Sequence, residues 1–64
     1  MVCIVLYSEK YGYFKCMYNN YTHHTHDSHE AAKYIHLDVA LRIRDYLKSV
    51  YYEDYHIELF SEEG

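Results

Sequence analysis

The 64-residue chain has no proline, no tryptophan, only two glycines and only two cysteines. With no proline, no repeat and no low-complexity run, nothing marks a linker, and residues 1–64 read as a single domain. Two glycines leave no material for a Gly-rich phosphate loop. No apolar run approaches the ~20 residues that span a bilayer, so no membrane partner is expected. The apolar opening Met1–Tyr7 lacks a basic n-region and a cleavage site, which argues against a signal peptide. On this reading the protein stays in the cytoplasm where it is made, with Cys3 and Cys16 reduced.

Positive charge is also scarce. Six Lys and Arg stand against ten Asp and Glu, for a net charge of −4. Nucleic-acid binders carry a basic stripe that neutralises phosphates. Lys10, Lys15, Lys33, Arg42, Arg44 and Lys48 form no such cluster, so direct nucleic-acid binding is not expected. Signs of catalysis are missing too. Both cysteines fall in predicted strands, where a free thiol is usually an inert small hydrophobe. Ser8, Ser28, Ser49 and Ser61 sit in no nucleophile-elbow context. A fold this small has little volume for an enclosed pocket of the usual ~300–1,000 Å³. No catalytic residue is nominated, and the chain is read as a non-enzyme that needs no cofactor.

What the chain does have is tyrosine. Ten tyrosines accompany a composition that is 50% apolar, which excludes a disordered tail. Tyrosine joins a large apolar body to a polar tip and is enriched where a surface is both wet and adhesive. A domain of this length buries only about 60% of the surface of its unfolded chain. A metal or a second copy is therefore a natural supplement to its core.

Val2–Tyr7 is β-branched and apolar and predicts a strand. Ser8–Gly12 predicts a hairpin loop, and Tyr13–Tyr18 the returning strand, giving a hairpin over residues 2–18. Residues 19–31 are polar, rich in turn formers and histidine, and read as a loop. Within it, Asp27 and Glu30 have capping-box spacing for a short helical turn. From Leu37 the period changes: Val39, Ala40, Ile43, Tyr46, Leu47 and Val50 recur at three- and four-residue intervals. This predicts a helix over about 37–51 with that stripe buried. Residues 55–60 alternate and predict a last strand. The expected fold is α+β with the order β-β-α-β: a three-stranded, mainly antiparallel sheet with one helix packed on a face.

With a four-residue loop, Leu6 opposes Tyr13, Val5 opposes Phe14 and Cys3 opposes Cys16. Both hairpin faces are then mostly apolar, whereas a half-wet antiparallel sheet normally alternates. One helix covers one face. An uncovered apolar face marks an interface, so a homodimer, a docked target or both are expected. The alternative is that the His-rich loop or the start of the helix folds over the second face. The tyrosines nominated for partner contact are Tyr7, Tyr11, Tyr13, Tyr18, Tyr21, Tyr51 and Tyr52.

His23, His24, His26 and His29 fall within seven residues, and imidazole is a common ligand for Zn and other divalent transition metals. They are the candidate metal ligands of an alternative reading as a small metal-binding protein, although their spacing matches no zinc motif and reads equally as a solvated loop. A third reading is an acidic nucleic-acid mimic. Its acids are scattered except toward the C-terminal end, where Glu53, Asp54, Glu58, Glu62 and Glu63 gather.

The stretch Ala32-Lys33-Tyr34-Ile35-His36-Leu37-Asp38-Val39-Ala40 resembles a pattern of small phage-encoded proteins. In these, Ala-Lys-x-(Phe/Ile), four residues and Ala lead from a loop into a helix, with a hairpin before and a short strand after. The hairpin 2–18, loop 19–31 and strand 55–60 fall in matching places. The chain departs from the pattern around Tyr18–Tyr21 and in its His-rich loop. The resemblance implies a phage or viral accessory protein that binds and inhibits a host or anti-phage defence protein in the host-cell cytoplasm.

Overall fold

In a computed structural model, which describes residues 1–61, the chain is α+β with one α-helix and a four-stranded antiparallel sheet. The elements are β1 (Val2–Ser8), β2 (Gly12–Tyr18), β3 (Tyr21–Thr25), a 3₁₀ turn (Ser28–Glu30), α1 (Leu37–Tyr51) and β4 (His56–Ser61). Strand order across the sheet is β3-β2-β1-β4.

The fourth strand, β3, lies inside the segment expected to be a loop. Asn19 and Asn20 both adopt positive φ, 53° and 64°, and form a two-residue turn whose twist matches a hairpin. Tyr21-Thr22-His23-His24-Thr25 then pairs back on β2, with Tyr18 opposite Tyr21 and Phe14 opposite His24. A bulge lies between Phe14 and Cys16.

The first hairpin is shifted by one residue from the expected register. Tyr7 opposes Tyr13 and Ser8 opposes Gly12, so the loop is Glu9–Tyr11. Gly12, at φ +92°, closes it, and the buried Ser8 hydroxyl accepts the N–H of Lys10 and of Tyr11, each at 3.2 Å. A one-residue shift moves side chains between faces. Leu6 and Phe14 consequently share one core with Leu47 and Tyr55, and the expected pairing of Cys3 with Cys16 does not occur. Cys3 opposes Phe60 on β4, and Cys16 opposes His23 on β3. Both are free thiols.

β1 and β2 then separate, and residues 32–34 fill the gap. The Ala32 N–H donates to Phe14 C=O at 2.9 Å, and Tyr34 exchanges two main-chain hydrogen bonds with Ile4. Ala32 and Tyr34 pack against the core, while Lys33 lies on the other side, its ammonium 4.9 Å from the centre of the Phe60 ring.

The helix covers one face of the sheet. The sequence stripe is only partly the buried one: Ala40 and Leu47 are fully buried, and Ile43 and Tyr51 pack on the core. Val39, Tyr46 and Val50 are exposed. They lie along one flank of a wide apolar arc, and the sheet meets the other flank. At the helix end Tyr52 takes the left-handed conformation (φ 58°) and donates its N–H to Lys48 C=O at 3.2 Å, a cap more often made by glycine.

The second face is not left bare along its length. Val5, on that face, is 1% exposed. The 3₁₀ segment crosses here, with the His29 ring edge-on to Phe60 at 5.3 Å and Ala31 buried. The His-rich segment therefore covers this part of the sheet, as the alternative expectation had it. Asp27 caps the turn by accepting the His29 N–H at 2.9 Å, and that bond lowers the Asp27 carboxyl below its ordinary range.

Candidate functional site

Three groups of side chains emerge. The first is a polar cluster between β3 and the residues after the helix. The Glu53 carboxylate accepts the Thr22 hydroxyl at 2.7 Å and the Tyr55 hydroxyl at 2.7 Å. His24 Nε2 lies 2.5 Å from the Tyr55 oxygen and 3.6 Å from Glu53. Because Tyr55 gives its proton to Glu53, the network assigns His24 Nε2–H as the donor to Tyr55. Tyr11 stacks on the His24 ring, centroids 4.9 Å apart. Burial first, and then the hydrogen bond to Glu53 and its negative charge, hold the Tyr55 phenol far above its ordinary range. A neutral, hydrogen-bonded phenol is no nucleophile. The cluster ties β3 to the helix end.

The second is a cleft of about 480 Å³ between the β1–β2 turn and residues 52–56. Tyr11, Tyr52 and Tyr55 supply aromatic wall, with Ser8, Glu9, Lys10, Asp54 and His56 around them. The sequence argument from small size did not anticipate a cleft this large. Lys10 lies 5.2 Å from the Tyr11 ring centre, and Asp54 is held by Lys48 at 3.3 Å.

The third is the sheet face away from the helix. Tyr7 meets His56 on one side at 5.4 Å and Tyr13 on the other at 4.8 Å between ring centres, an aromatic row across β4, β1 and β2. Tyr13 opposes Thr25 on β3. Beyond the bulge, Cys16, His23, Tyr18 and Tyr21 continue the face to the hairpin tip. Tyr18 and Tyr21 are 66% and 72% exposed, and Tyr18 touches His23 edge-on at 6.2 Å.

The seven nominated tyrosines thus divide among three places. Tyr7, Tyr13, Tyr18 and Tyr21 share the outer face. Tyr11 and Tyr52 line the cleft. Tyr51 packs on the core and donates its hydroxyl to Asn20 C=O at 2.9 Å. The four histidines also separate. Strand alternation sends His23 outward and His24 inward; His26 borders Gly12, and His29 sits on Phe60. Among the described residues no three His, Cys, Asp or Glu side chains gather as a metal site. Several of the acids have partners. Glu53 is in the polar cluster, Asp45 pairs with Arg44 and Glu58 with His56, and Glu62 and Glu63 lie outside the described residues. No described helix is long and apolar enough to cross a membrane.

Known proteins add nothing to this geometry. No protein family, curated protein or solved structure matches the chain.

Sequence reasoning missed the Glu53–Tyr55–His24–Thr22 network. Its members lie about thirty residues apart, in a strand and a connection, with no shared motif. The Asn19–Asn20 turn was findable: two residues prone to positive φ between Tyr18 and Tyr21 are a hairpin signal.

Proposed function

We propose that this protein is a non-enzymatic binding module, a phage or viral accessory protein that inhibits a host or anti-phage defence protein by direct contact. Its contact surface is the outer sheet face, centred on Tyr18 and Tyr21. The observation that carries the reading is that these two large rings stand mostly in solvent on either side of a two-residue turn, continuous with the row Tyr13–Tyr7–His56. Backbone pairing fixes the strands that carry them, and a tyrosine ring has only two χ angles to freeze when it is buried. Such tyrosines are frequent hot spots. The phage assignment rests on the resemblance around Ala32–Ala40, and the host-cell cytoplasm follows from it as the place of action.

The test begins with a partner captured from a bacterial lysate and then purified. Tyr18→Ala with Tyr21→Ala should weaken its binding by more than ~20-fold, the size of a hot-spot loss, while the thermal melt stays unchanged. Undiminished binding by that double variant would move the surface elsewhere, and loss of binding to a Tyr11→Ala, Tyr52→Ala pair would place it at the cleft.

A further inference from the structure

The free edge of β4 has a main-chain pattern that can be worked out from its neighbours. Ile4 spends both its N–H and its C=O on Tyr34, at 2.7 and 2.9 Å, so both are turned away from β4. In an antiparallel ladder, opposed residues either bond across to each other or both point away. Leu59 opposes Ile4; its N–H and C=O therefore point to the outer edge, and alternation adds those of Ile57 and Ser61. β4 is the last strand of the sheet, and among the described residues no main-chain hydrogen bond reaches these three from outside.

Soluble proteins blunt such edges with lysine, proline or a bulge. The strand His-Ile-Glu-Leu-Phe-Ser contains no lysine or proline, its one carboxylate, Glu58, is paired with His56 at 2.9 Å, and its register with β1 is continuous. Leu59 is 74% exposed in the middle of it. The opposite edge, β3, differs: its ladder with β2 contains a bulge, which adds local twist, and it presents histidine and threonine rather than an exposed aliphatic side chain.

The sequence of this edge is complementary to itself. About a two-fold axis normal to the sheet, registers centred on any residue from Ile57 to Ser61 oppose outward groups, and centring on Phe60 or Ser61 pairs no more than three residues of the strand within the described residues. Centring on Glu58 sets that carboxylate against its own copy, which is unfavourable. Centring on Ile57 draws in Asp54 and Tyr55, which precede the strand. Centring on Leu59 keeps Ile57–Ser61 within the strand, sets Leu59 on Leu59, Ile57 on Ser61 and Glu58 on Phe60, and opposes no like charges. We propose that the protein forms a two-fold dimer through β4 in this Leu59-centred register, joining two sheets into one of eight strands. Both tyrosine faces then lie on the same side of that sheet. The dimer does not rest on the reading of those faces, because Tyr18 and Tyr21 lie toward the other edge.

The experiment is solution mass by light scattering together with amide hydrogen exchange. The wild-type chain should run at twice its 7.8 kDa, with the Ile57, Leu59 and Ser61 amides gaining protection as concentration rises. Leu59→Lys, which sets like charges across the axis, and Leu59→Pro, which removes an outward N–H that an edge strand does not need, should both be monomeric with unchanged circular dichroism. Ile35→Lys, at an exposed apolar position off the edge, should remain dimeric. A monomeric wild type, or a dimer that survives both Leu59 variants, overturns the proposal. A monomer that still binds its target through Tyr18 and Tyr21 refutes the dimer alone.

Discussion

Tyr34 and Ile4 exchange both of their main-chain hydrogen bonds across the gap where β1 leaves β2. Through this bridge the segment before the helix completes a sheet whose two central strands pair only near their turn. It also fixes which groups of β4 face solvent. Proline at position 34 removes the Tyr34 donor and strands the buried Ile4 carbonyl. Tyr34→Pro should lose more than the ~1–3 kcal/mol that an unsatisfied buried group costs, because the packing of the Tyr34 ring on the core goes with it; urea melts read the loss.

The helix stripe divides into residues that hold the fold and residues that do not. Leu47→Ala should lose about 2–5 kcal/mol, comparable with the whole stability of a domain this small, and leave the chain largely unfolded. Val39→Ala and Val50→Ala, at exposed positions, should stay within about 0.5 kcal/mol of wild type. Equal losses at all three would mean that the helix is rotated from the orientation described.

Gly12 makes the shifted hairpin register possible. Its φ is +92°, and a Cβ there would come within 2.9 Å of the Thr25 carbonyl oxygen. Backbone cannot move aside as a flexible side chain can. Gly12→Ala should therefore destabilise by more than the ~1–2 kcal/mol of left-handed strain alone, seen as a lower midpoint in chemical denaturation.

Tyr55 makes stability depend on alkaline pH. Its folded pKa is raised by burial and by Glu53, so the folded protein keeps a proton that the unfolded chain releases near pH ~10. That contribution is fully present below pH ~10 and is lost as pH rises above it. Unfolding free energy should fall above that pH, and less steeply in Tyr55→Phe. The same variant should lose about 1–3 kcal/mol at neutral pH, because His24 and Glu53 are left without their shared hydroxyl.

Tyr52, 87% exposed, occupies a conformation that favours glycine. Tyr52→Gly should raise stability by about 1 kcal/mol as the left-handed strain is relieved. A matching loss of stability would show that the ring contributes packing at the cleft wall.

Much of the architecture was written locally. The 3.6-residue spacing from Leu37 onward and the capping residue Asp27 act through near neighbours, so the helix and the short turn before it were readable in the sequence. The alternation at residues 55–60 placed β4 for the same reason. Tertiary structure decided what depends on a single residue of register. Ser8 and Gly12 shortened the loop, which put Leu6 and Phe14 on one face and sent β1 and β2 apart. Strand pairing turned His23 and His24 to opposite sides and so dispersed the histidine cluster. Packing chose which flank of the helix meets the sheet, since the apolar arc is wider than one contact. The Glu53–Tyr55–His24–Thr22 network exists only because the helix end returns over β3. Periodicity fixes an element and its faces, and only long-range pairing determines which faces meet.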